Sequence, residues 1–63
     1  MPTIHVHIIE GRTREQKRQL VRGITDVVVK TCGANPERVV VYINEVKKEY
    51  AARAGVLRSD EEN

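Results

Sequence analysis

The chain has 63 residues and a mass of 7.2 kDa, with 32% charged residues, 3% aromatic residues and a net charge of +2. That length holds one domain, over 1–63, and excludes a two-lobed enzyme with a cleft between its halves. A single cysteine, Cys32, excludes an internal disulfide and a paired-cysteine zinc site.

Folding of one copy alone sits near balance. Apolar burial contributes about 90 kcal/mol, and ordering the chain costs about 95 kcal/mol. With disulfide and zinc excluded, self-association is the expected remedy. The lone cysteine fits a reducing, cytoplasmic location. No apolar run approaches a membrane span, and the N-terminus lacks the pattern of a signal peptide, so no membrane partner is expected.

Thr3 to Ile9 alternates at strand period, with Ile4, Val6 and Ile8 on one face and Thr3, His5, His7 and Ile9 on the other. Glu10-Gly11-Arg12 breaks the strand. Thr13 and Gln16 then form a capping box, each side chain able to bond the other's backbone N–H. A helix of about 19 residues follows, with Leu20, Ile24, Val27, Val28 and Thr31 as its expected apolar stripe and Gly33 as its C-terminal cap. Asn35-Pro36 starts a short turn over 36–38.

Val39 to Asn44 reads as the second strand, apolar enough to be buried on both faces. Strand, helix, strand makes one β-α-β unit of the α/β (α+β) class with parallel strands. The polar tail from Lys47 has only Gly55-Val56-Leu57 to pack, so it is expected to form a short hairpin or arm lying on a neighbouring copy. The open sheet edges invite pairing between chains.

Position 2 is the informative residue, although proline also simply follows the initiator Met in many proteins. A small second residue favours removal of Met1, which exposes Pro2 as a secondary amine at the head of a strand. Such a nitrogen is a general base or a nucleophile toward carbonyls when it is neutral. Desolvation and nearby arginines both disfavour its charged form.

Met1-Pro2, the short strand, Ile9-Glu10-Gly11-Arg12-Thr13 and Glu15-Gln16-Lys17 together resemble the 4-oxalocrotonate tautomerase family. The resemblance continues through Leu20, Gly33-Ala34, Val39 to Ile43, Glu45 and Ala54-Gly55, without gaps over essentially the whole chain. It implies a β-α-β protomer paired through a four-stranded sheet, with three dimers forming a homohexamer. It further implies keto–enol 1,3-proton transfer on 2-hydroxymuconate-like dienols or related 2-oxo acid enols. Pro2 would be the base, Arg12 the ligand of the distal carboxylate, and the Ile9 backbone amide a contact for substrate or water. The family uses no metal, and no cofactor is expected.

Two positions depart from the family pattern. A second site arginine falls on Val40 here, and an aromatic wall residue falls on Ala51, with Tyr50 just before it and Arg53 two residues after. Arg38 is a candidate replacement: if the strand starts by residue 38, Arg38 and Val40 leave the same face. Arg53 is another. The missing arginine implies weak turnover of dicarboxylates or a different preferred substrate. The alternative is a non-catalytic or hetero-oligomeric subunit of the same fold that depends on a partner chain.

The remaining chemistry-bearing residues have plainer readings. His5 and His7 share a strand face but lack a third metal ligand nearby in sequence. Cys32 reads as a small packed residue. Arg12, Arg14, Lys17, Arg18 and Arg22 read as a solvated helix face, because only Tyr42 and Tyr50 are present for base stacking and no nucleic-acid motif occurs. Lys47-Lys48-Glu49 reads as a solvated turn.

Overall fold

Alternation in the first segment produces β1 (Thr3–Ile9), whose Ile4, Val6 and Ile8 are half-buried under α1 (Arg14–Cys32). The structure, a computed structural model, describes residues 2–61, so the expected removal of Met1 lies outside the described residues. β2 (Val40–Val46) pairs with β1 in parallel, from Thr3 opposite Val40 to Ile9 opposite Val46. The helix lies on the face carrying Ile4, Val6, Ile8, Val41 and Ile43.

The capping box forms at both bonds. Gln16 N–H donates to Thr13 Oγ1 at 3.1 Å, and Thr13 N–H donates to Gln16 Oε1 at 2.8 Å. Gly33 closes the helix in the left-handed region, at φ 65°, with its N–H donating to Val29 O at 3.1 Å. Lys17 Nζ donates to Glu45 Oε1 at 2.9 Å and ties the first turns of the helix to β2.

The covered face of the helix is rotated from the expected one, with Val21, Thr25 and Val29 half-buried beside the stripe. Leu20, Ile24 and Val28 are half-buried, whereas Val27 is 59% exposed and Thr31 is exposed, its hydroxyl donating to Val27 O at 2.7 Å. Cys32 is likewise exposed and not packed, because it lies on the last turn, beyond the sheet.

β2 starts one residue later than expected and ends two later. Val39 N–H is taken by Pro36 O at 3.2 Å in the 3-10 turn Pro36–Arg38, which delays the strand. At the other end β1 runs on to Ile9 and supplies partners as far as Val46. Burial of β2 on both faces does not occur within one protomer. Val40 and Val46 are half-buried on the face away from the helix, and Tyr42 there is 53% exposed.

After a 3-10 turn over Lys48–Tyr50, β3 (Ala52–Arg53) and β4 (Val56–Leu57) make the expected hairpin. Its turn residues Ala54 and Gly55 have φ 54° and 80°, the signature of a primed two-residue turn that glycine accommodates and alanine resists. A last 3-10 turn spans Arg58–Glu61.

Among the described residues no side chain is fully buried. The accessible surface is 5083 Å², against about 4,100 Å² for a compact monomer of this mass. The radius of gyration is 14.7 Å, against about 10.6 Å for a compact chain of this length. Ile4, Leu20, Gly23, Ile24, Val27 and Val28 line an open apolar groove of about 620 Å³ along the helix. No helix among the described residues is long and apolar enough to cross a membrane.

Candidate active site

Pro2 stands half-buried at the head of β1, where its carbonyl accepts from Val40 N–H at 3.0 Å. That bond fixes the proline ring beside the start of β2 and leaves its nitrogen at the end of the sheet. Val40, at the position where the family resemblance calls for an arginine, is half-buried opposite Thr3 and makes that bond only through its backbone.

Ile9 closes the same strand. The bonds Val40 N–H to Pro2 O and Glu10 N–H to Val46 O show that even-numbered residues of β1 face β2. Alternation along a parallel ladder turns the N–H and C=O of Ile9 to the free edge. Arg12 confirms that direction: its Nη1 donates to Ile9 O at 3.0 Å. Gly11, at φ 125°, lets the chain double back so that Arg12 reaches the strand it has just left.

Seven residue-to-residue steps of extended chain lead from Pro2 to Ile9, about 23 Å at about 3.3 Å per step. Pro2 and Arg12 therefore lie at opposite ends of one protomer, too far apart for a single small substrate to touch both. The structure brings Arg12 together with Ile9, not with Pro2.

Arg38 sits at the Pro2 end, in the 3-10 turn, with its N–H donating to Asn35 O at 2.9 Å. Because β2 begins at Val40, Arg38 is not a strand residue, and the same-face argument linking it to Val40 does not apply. Arg53 projects from β3, its side chain 79% exposed and its Nη2 3.9 Å from Glu61 Oε2. Tyr50 is 71% exposed, with Lys47 Nζ 5.9 Å from the ring centroid; Ala51 beside it is half-buried.

His5 stacks on Tyr42, ring centroids 5.3 Å apart and planes 19° from parallel. Among the described residues no group of three or more His, Cys, Asp or Glu side chains is placed to hold a metal ion.

Sequence reasoning overlooked two members of the Arg12 groove. Lys48, read as part of a solvated turn, and Arg58 line the same open groove of about 580 Å³ as Ile9, Glu10, Gly11 and Arg12. The missed signal is the hairpin: Arg58 N–H donates to Ala51 O at 2.8 Å, returning the chain beside the turn that carries Lys48.

These features define a small β-α-β protein whose candidate site residues Pro2 and Arg12 lie at opposite ends of the protomer. The family model described as Tautomerase enzyme matches residues 2–61. The 2-hydroxymuconate tautomerase of Bacillus subtilis is 48% identical over 62 residues, covering 98% of this chain and 100% of that protein. The crystal structure of YwhB, a homologue of 4-oxalocrotonate tautomerase, aligns with a TM-score of 0.93 at 48% identity, over 97% of this chain and 100% of that one. A 4-oxalocrotonate tautomerase isozyme from Methylibium petroleiphilum aligns with a TM-score of 0.93 at 40% identity, over 95% and 94%. The chain belongs to the tautomerase family, isomerases of the 2-hydroxymuconate and 4-oxalocrotonate tautomerase type.

Proposed function

We propose that this protein is a cytoplasmic keto–enol tautomerase of 2-hydroxymuconate-like dienols or related 2-oxo acid enols, with the Pro2 nitrogen as general base. The observation that carries the reading is the placement of Pro2 at one end of β1 and of Arg12 with the free Ile9 edge at the other. A working site then joins the Pro2 end of one chain to the Arg12 end of another, and a homohexamer built through the open sheet edges and the apolar helix groove supplies both. The missing core and the excess surface of the lone protomer support the same assembly.

In that shared site Pro2 takes a proton from one position of the dienol and returns it at another, so the amine ends each cycle unchanged. Arg12 holds the distal carboxylate and stabilises the charge that moves toward it in the transition state. Val40 supplies no charge beside Pro2, so turnover of dicarboxylates is weak unless Arg38, at the same end of the sheet, provides it.

Val40 also favours a second reading, in which this chain is a non-catalytic or mixed-assembly subunit that takes its second arginine from a different chain. The test is ketonisation of 2-hydroxymuconate by the wild-type protein and by Pro2→Ala. Loss of turnover in the variant is expected, and equal rates sink the proposal. A single intact mass in the assembly purified from its host excludes the mixed subunit.

A further inference from the structure

We infer that Arg58 is a specificity-determining residue, which makes the Arg12 groove select dicarboxylates over monocarboxylates. The inference deepens the tautomerase reading, from which it takes its ligand class.

The groove at the C-terminal end of β1 holds both signs of charge. Glu10 lies in it with Arg12, so these two side chains alone give no net attraction for an anion. Lys48 and Arg58 line it as well, and Arg58 brings Glu61 as its carboxylate partner. Arg58 arrives from the far end of the sequence: β4 ends at Leu57, and the bond from Arg58 N–H to Ala51 O folds the chain back to the groove.

Arg58 already binds a carboxylate in this position. Its Nε donates to Glu61 Oε1 at 3.0 Å, with the two side chains 47% and 32% exposed. A pair that open to water is weak, about 0–1 kcal/mol, so an incoming carboxylate can displace it. A planar guanidinium receives a carboxylate through two parallel N–H donors, a geometry that a lone ammonium does not offer. Arg12 has one donor committed to Ile9 O and keeps its others for the same anion. Two guanidinium groups then face a carboxylate whose carbon chain extends toward a neighbouring copy's Pro2.

The experiment is equilibrium binding of muconate and sorbate to the assembled protein by calorimetry. These are unreactive dienes of equal carbon count that differ by one carboxylate. Wild type is expected to prefer muconate. Arg58→Ala should weaken muconate about tenfold and sorbate less than about twofold, the effect of losing one charge-assisted pair. Glu61→Gln should move the other way and tighten muconate a few-fold, because it removes the internal competitor for Arg58. Equal losses for both acids, an unchanged muconate affinity in Arg58→Ala, or a wild type without preference would each overturn the assignment. Pro2→Ala should retain the preference. A protein that selects muconate without any turnover would therefore defeat the tautomerase reading and leave the role of Arg58 standing.

Discussion

Mixing two inactive variants tests whether the site is shared between chains. Pro2→Ala removes the base at one end of β1, and Arg12→Ala removes the carboxylate ligand at the other. About 23 Å of strand separates those ends, so one substrate cannot bridge them within a protomer. When the two variants are refolded together in equal amounts, each site draws its Pro2 and its Arg12 from independent chains. About one quarter of the sites should then hold both intact residues, and activity should recover to about a quarter of wild type. The assay is initial-rate ketonisation of 2-hydroxymuconate before and after co-refolding, with each variant refolded alone as the control. Recovery no greater than the mean of the two controls refutes the reasoning. That is the outcome if Pro2 and Arg12 act from the same chain, because no mixed assembly then contains an intact pair.

Three further outcomes follow from particular contacts. Arg12→Ala should cost about 10²–10³ in kcat/KM for dicarboxylate enols and spare monoacid enols such as phenylenolpyruvate, and equal losses on both would contradict its assigned role. Thr13→Ala removes the hydroxyl that accepts from Gln16 N–H, while the bond from Thr13 N–H to Gln16 Oε1 remains, and should lower unfolding stability by about 1 kcal/mol, read by chemical denaturation. Hydrogen bonds from Gln19 and then Arg18 hold the Glu15 carboxyl below the usual carboxylate range. The folded state therefore favours the charged form, and the contribution of Glu15 is present at neutral pH and fades as pH falls through the folded value. Glu15→Gln should be less stable than wild type at neutral pH and equal to it in acid, and a gap that persists in acid would reject the assignment.

Local signals foretold local structure well. The Thr13–Gln16 box, Gly33 and Asn35-Pro36 act within a few residues of themselves, so helix and turn bounds followed from spacing alone. β2 was harder, because its limits depend on a partner: Pro36 O delays its start, and the length of β1 sets its end. Val27, Thr31 and Cys32 were misplaced for a related reason, since an apolar or small residue on a helix does not say which surface covers it. The family resemblance named Pro2, Ile9, Arg12 and the gap at Val40. That Pro2 and Arg12 stand at opposite ends of the strand follows instead from the length of β1, which the alternation over Thr3 to Ile9 already carried. Lys48 and Arg58 were invisible as groove residues because the hairpin that joins them closes through a backbone bond, from Arg58 to Ala51, with no side-chain signature.

Every catalytic claim depends on a free secondary amine at Pro2, since a retained Met1 would bind that nitrogen into an amide with no basicity. The most direct measurement is 2-hydroxymuconate turnover in preparations whose fraction of chains beginning at Pro2 has been fixed by intact mass. The rate per chain should rise in proportion to that fraction and vanish where Met1 is fully retained. Full activity in material that keeps Met1 on every chain would contradict the account.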